Sequence, residues 1–299
     1  MPHVKANGLD LYYESHGPES AEPILLIMGL GAQMSRWSPD FIKKLVEAGH
    51  RVIAFDNRDV GLSEKLDAAG APNIHEVALA LRDGRKPDVA YTLDEMAADA
   101  AGLLAAIGVE RAHIVGASMG GMIAQLVAAD HPERTLSLTS IMSSTGNPDL
   151  PRATPEALAR LNTPAPDPTK DLEAFLDSAV EGAKVMASKY PPDAAQVRAQ
   201  ALSDYKRCYY PVGFQRQYAG ILASPDRRPK LRTITAPTVV IHGEDDPLVP
   251  LAGGRDTAEN IPGAELRIVP GVGHEMPPAV QDEFIAGILA AVERARVTA

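Results

Sequence analysis

The segment Gly116-Ala117-Ser118-Met119-Gly120-Gly121 places a serine two residues from glycine on either side. It follows the apolar run Ala112–Val115 and opens a helix-like stretch, Met122–Asp130. That spacing predicts a sharp strand-to-helix turn with a strained residue at its apex. The small residues let strand and helix approach, the hydroxyl is exposed, and the helix N-terminus lies beneath developing negative charge. A serine hydroxyl becomes a useful nucleophile only when a base takes its proton. Among the eight histidines, His274 is the candidate base, in the glycine-flanked loop Gly271-Val272-Gly273-His274-Glu275-Met276-Pro277-Pro278. His113 and His242 fall within or at the end of expected strands and read as core residues. The imidazole needs an acceptor to hold its tautomer, and Glu244, Asp245 and Asp246 follow a strand-like run, any of which could serve. A tetrahedral oxyanion needs two N–H donors, each worth about 3 kcal/mol of barrier. The amides of Met119 and of Leu30, in Met28-Gly29-Leu30-Gly31, are the candidates. This is the chemistry of acyl transfer. Trp37, Met142 and Met276 lie near these motifs and are candidate pocket walls, although ordinary packing explains them as well.

Residues so far apart in sequence need a scaffold. Val4–Tyr13 reads as a hairpin about Asn7-Gly8, because both turn residues tolerate positive φ. Short apolar runs follow at Ile24–Met28, Arg51–Phe55, Ala112–Val115, Leu136–Met142, Thr238–His242 and Glu265–Val269. Strands apolar at successive positions are covered on both faces, as in a parallel sheet. Helical patterns alternate with them. Ser38-Pro39 is a cap followed by a first-turn proline, Thr92-Leu93-Asp94-Glu95 is a capping box, and Ala279–Arg296 is a final amphipathic helix. The alternation predicts an α/β architecture with a doubly wound, mostly parallel sheet flanked by helices. Residues 143–229 break the rhythm. They hold 11 of the 25 prolines and no clear strand. Helical patches at Asp171–Lys189 and Ala194–Tyr209, with apolar residues such as Phe175 and Phe214, predict a helical cap inserted after the sixth strand. The expected organisation is a core of 1–142 and 230–299 with a cap of 143–229.

The 299 residues carry a formal net charge of −10. That balance weighs against nucleic acid and anionic membranes as partners, and no apolar run approaches a membrane span. The basic run Arg227–Arg232 is expected to be a solvated linker face. Cys208 is the sole cysteine, and the N-terminal residues lack an apolar targeting core, so a cytoplasmic location is expected. There is no H-E-x-x-H, no cysteine–histidine cluster, no phosphate loop and no dinucleotide fingerprint, so neither metal nor cofactor is expected. The expected partner is a small-molecule substrate, with a monomer or homodimer both open.

The order Ser, Asp, His along the chain is that of the α/β-hydrolase fold. The chain resembles that family over nearly its whole length, the esterases and lipases in particular and especially the aclacinomycin methylesterase-like branch. The matching segments are Leu26–Gly31, Phe55-Asp56-Asn57-Arg58-Asp59-Val60-Gly61-Leu62-Ser63, Gly116–Gly121, Gly243–Pro250 and Gly271–His274. Met28 stands where many relatives have histidine, as it does in the methylesterase-like branch. The resemblance implies Asp246 as the acid, because the family's acid precedes the Pro-x-Val-Pro step, and it supports the Leu30 amide. It implies Asp56–Asp59 as a turn bracing the site, and hydrolysis of a small to medium apolar carboxylic ester through an acyl-enzyme. Other reactions of the same triad stay open: acyl transfer, carbon–carbon bond hydrolysis, perhydrolysis, or a ligand-binding receptor with slow turnover.

Overall fold

The computed structural model describes residues 2–298. Strands β1 (His3–Ala6) and β2 (Leu9–His16) form the expected hairpin. Asn7 and Gly8 sit at φ 49° and 81°, so both turn residues are left-handed, and Ala6 pairs with Leu9 across them. The remaining strands are β3 (Pro23–Ile27), β4 (Arg51–Phe55), β5 (Ala112–Ala117), β6 (Thr135–Ile141), β7 (Thr238–Gly243) and β8 (Glu265–Val269). The sheet order is β1-β2-β4-β3-β5-β6-β7-β8. Strands β3 to β8 are mutually parallel, and β2 joins β4 antiparallel.

The helices are α1 (Pro39–Glu47), α2 (Ile74–Arg82), α3 (Leu93–Ala106), α4 (Met119–Asp130), α5 (Pro155–Asn162), α6 (Leu172–Met186), α7 (Ala194–Arg207), α8 (Pro211–Ala223), α9 (Arg228–Leu231), α10 (Leu251–Asn260) and α11 (Gln281–Thr298). Ser38 Oγ accepts the Phe41 N–H to start α1. The Glu95 carboxylate accepts the Thr92 N–H at 2.7 Å to start α3. Strand alternation divides the core in two. Leu25 and Ile27 of β3 pack with Leu93 and Met96 of α3 and Ile123 of α4. Ile24 and Leu26 face the other way, with Phe41 of α1 and Phe284 of α11. Among the described residues, no helix is long and apolar enough to cross a membrane.

Three expectations change. Strand β8 closes the sheet edge, and Leu266 and Arg267 are only partly buried while Ile268 is exposed, so it is not covered on both faces. Arg227 is not solvated. It is 3% exposed, and it donates to Gln125 Oε1 and to the Ser144 carbonyl. Burial pushes its guanidinium down to about 10. Helix α9 crosses the expected 229/230 junction, because Pro229 begins the helix and Leu231 anchors it, fully buried, in the core.

Chain direction explains where a site can form. From β3 the chain passes to β4 on one side, and β5 pairs on the other. This reversal leaves a crevice beyond the carboxyl ends of β3 and β5, where Ile27 pairs with Gly116. The loops Met28–Gly31 and Ser118–Met119 leave the sheet there side by side.

Candidate active site

Ser118 sits between β5 and α4 with φ 57° and ψ −120°, a left-handed conformation unusual for a residue with a side chain. Its carbonyl accepts the N–H groups of Gly121 and Met122, and its own N–H donates to Ile141. The glycines two positions away are sterically required. A Cβ on Gly116 would lie 2.0 Å from the Gly120 carbonyl oxygen, and one on Gly120 would lie 2.1 Å from that of Ile27. The spacing read from the sequence is therefore a packing condition of the turn.

The three consecutive acids separate cleanly. Glu244 and Asp245 are exposed, and the Asp246 side chain is fully buried. Asp246 Oδ1 accepts the Leu248 and Val249 N–H groups at 2.9 and 2.8 Å. Its Oδ2 lies 2.7 Å from His274 Nδ1. His274 Nε2 lies 2.9 Å from Ser118 Oγ. The histidine loop is held by the His274 N–H, which donates to the carbonyl of Met186 at the end of α6. Gly273 permits that approach, since a Cβ there would lie 2.2 Å from the Met186 oxygen. His242 is also buried, 3.6 Å from Asp246 Oδ2. Burial keeps its imidazole below the usual range, and Nε2 donates to the Val249 carbonyl instead.

Gly29 brings the β3 loop against the serine: a Cβ there would lie 3.2 Å from Ser118 Cβ. The N–H groups of Leu30 and Met119 have no acceptor among the described residues. The loop is fixed on either side. Asn57 Nδ2 donates to the Met28 carbonyl at 2.9 Å, and the Gly31 N–H donates to Gln217 Oε1 at 2.8 Å. The Asp56–Asp59 turn carries much of this bracing. Asp56 accepts the Met34 and Leu62 N–H groups and pairs with Arg207 of α7 at 2.7 Å. Arg58 grips Asp99, and Asp59 takes two hydrogen bonds from Arg216 of α8 and one from Tyr91. Burial alone would raise the Asp59 carboxyl, but the Arg216, Leu66 and Tyr91 hydrogen bonds outweigh it and hold it below the carboxylate range. In Asp99 burial wins over Arg58, and the carboxyl is raised.

A cavity of about 650 Å³ opens above Ser118 and His274. Trp37, Met142 and Met276 all line it. Trp37 serves packing too, being 2% exposed with its ring 5.1 Å from that of Phe41. Phe214 and Tyr218 of α8 and Met186 of α6 supply further walls. Glu275 also faces the cavity, and burial, reinforced by Asp246, raises its carboxyl. Gln217, Arg207 and Arg216 did not emerge from the sequence. Each acts on a partner more than 140 positions away, and no local pattern marks such a residue.

Residues 22–277 match the family model for the alpha/beta hydrolase fold, and the chain belongs to that family. Among curated relatives it is 30% identical to rhodomycin D methylesterase of Streptomyces peucetius, with 96% of each chain covered. It is also similar to solved structures. Est816, an N-acyl homoserine lactone degrading enzyme, is 29% identical with a TM-score of 0.67, covering 96% of this chain and 99% of that one. A meta-cleavage product hydrolase of Pseudomonas fluorescens superposes with a TM-score of 0.74 over 99% and 98% of the two chains, at 20% identity, and shows the fold alone.

Proposed function

We propose that the protein hydrolyses carboxylic esters through an acyl-enzyme on Ser118. The observation that carries this reading is the relay from Asp246 through His274 to Ser118, at 2.7 and 2.9 Å, opening into an apolar-walled cavity. Ser118 Oγ attacks the ester carbonyl and its proton passes to His274 Nε2. The N–H groups of Leu30 and Met119 receive the oxyanion. Collapse breaks the bond to the alcohol oxygen, which leaves with the proton from His274. Water then gives a proton to His274 and attacks the acyl-enzyme. The second collapse returns that proton to Ser118 Oγ and frees the acid. Asp246 holds the Nδ1–H tautomer and stabilises the imidazolium.

The relatives support ester chemistry in kind: one is named a methylesterase and another degrades a lactone, which is a cyclic ester. In this reading the segment between β6 and α9 forms a cap that selects substrate, since Leu161, Met186, Phe214 and Tyr218 contribute walls of the cavity. A panel of esters graded in acyl and alcohol size tests the proposal. Multiple turnover on some of them is expected. Release that stops after about one equivalent would identify a receptor instead.

A further inference from the structure

The cavity over Ser118 adjoins a second, of about 750 Å³, and Leu30, Arg36, Leu161, Met186, Phe214 and Tyr218 line both. The two ends differ in charge. Near the serine the carboxylate is Glu275, half-buried and without an ion pair among the described residues. In the outer cavity the charged residues are Arg36 and Arg160. Arg36 is already engaged, with Nε 2.5 Å from Asp204 Oδ2. Arg160 has no carboxylate within ion-pair distance among the described residues. It lies across α6, where Nη2 donates to the Ser178 carbonyl at 2.8 Å. Gly182 makes that seat possible, since a Cβ there would lie 2.6 Å from Arg160 Nε. One N–H of the guanidinium is thus spent on orientation, and others remain for a ligand.

We propose that the outer cavity is a subsite for a carboxylate carried on the part of the ester remote from the scissile bond, with Arg160 as its partner. The inference rests on the ester-hydrolase reading and adds a substrate class to it. Arg160 at the outer end attracts an anion, while the inner end offers only the Glu275 carboxyl and the ion-paired Arg36, so the charge difference also sets which way round the substrate enters. The aromatic walls Tyr209, Phe214 and Tyr218 exclude part of the water that would otherwise screen the pair.

The test uses two series of esters of graded chain length, one bearing a terminal carboxylate on the acyl side and one on the alcohol side. Each is compared with its neutral terminal-methyl counterpart as a ratio of kcat/KM. In one series the ratio should peak at a particular length, at about three- to fivefold, the scale of a partly exposed ion pair. The peak should shrink toward unity as salt is added. Arg160→Gln should remove the peak, Arg160→Lys should retain part of it, and Arg160→Glu should shift preference to esters with a terminal ammonium. A circular dichroism spectrum for each variant guards against unfolding. The inference is overturned if neither series exceeds unity at any length, or if the peak survives in Arg160→Gln. Turnover of neutral esters without a peak removes the subsite alone. Absence of turnover on every ester removes the proposed function, and the subsite with it.

Discussion

Replacing Asp246 by asparagine should disable the base while leaving the fold intact, and the hydrogen bonds around the side chain explain why. In the native site one carboxylate oxygen accepts two backbone N–H groups, from Leu248 and Val249, and the other accepts from His274. An asparagine there must choose. With its oxygen toward the backbone donors, its NH₂ faces His274 Nδ1 and forces the proton onto Nε2, where the base is needed. With the amide reversed, NH₂ opposes two backbone N–H groups. Leaving two such donors unsatisfied costs about 2–6 kcal/mol, at about 1–3 kcal/mol each. The competent orientation is therefore depleted by about 30-fold to 10⁴-fold, at about 1.4 kcal/mol per factor of ten. Loss of the charge that stabilises the imidazolium pushes kcat toward the lower end of activity, and the serine-protease precedent is about 10⁴-fold. Asp245→Asn should cost little, because Asp245 is exposed and bonds to Ser188 Oγ rather than to the histidine. Steady-state kinetics on the best ester, with circular dichroism on both variants, decides the matter. Near-native turnover in Asp246→Asn beside a crippled Asp245→Asn would refute the reasoning.

Gly116→Ala should destabilise the protein by at least about 3 kcal/mol, since the new methyl meets backbone rather than a movable side chain; a loss under about 1 kcal/mol in urea unfolding would contradict the close approach. Burial holds the His113 imidazole down to about 4, against an ordinary value of 6.5, so the unfolded chain binds more protons between those values. Stability from this group is complete above about pH 6.5 and is lost as pH falls toward about 4, by at most about 3 kcal/mol. Urea midpoints should fall across that window, and less steeply in His113→Gln; equal slopes would count against it. Phe214→Ala removes bulk from the wall shared by both cavities and should move the ester ranking toward bulkier substrates. An unchanged ranking would remove α8 from substrate selection.

The strands and the hairpin were legible because their signals are local: an apolar run, a turn dipeptide, a capping residue. The serine turn was legible because steric need at Gly116 and Gly120 leaves a mark at fixed spacing. Asp246 was different. Three acids in a row share one local pattern, and only the family resemblance separated them before the backbone turned one of them inward. Helix α10 escaped notice because Gly253 and Gly254 lower helix propensity. The structure shows why glycine is tolerated there: a Cβ on Gly254 would lie 2.5 Å from the His242 ring. The bracing of the Met28–Gly31 loop by Gln217 escaped for another reason. Its partner Gly31 is 186 positions away, and a buried hydrogen bond between distant segments has no periodicity to detect.

The central claim is that Ser118 is the nucleophile, and trapping its covalent state tests it most directly. Intact-mass measurement after reaction with a fluorophosphonate, followed by peptide mapping, should show one adduct per chain, on Ser118, absent from Ser118→Ala and accompanied by loss of ester hydrolysis. An adduct on another residue, or full ester hydrolysis by Ser118→Ala, would contradict the account.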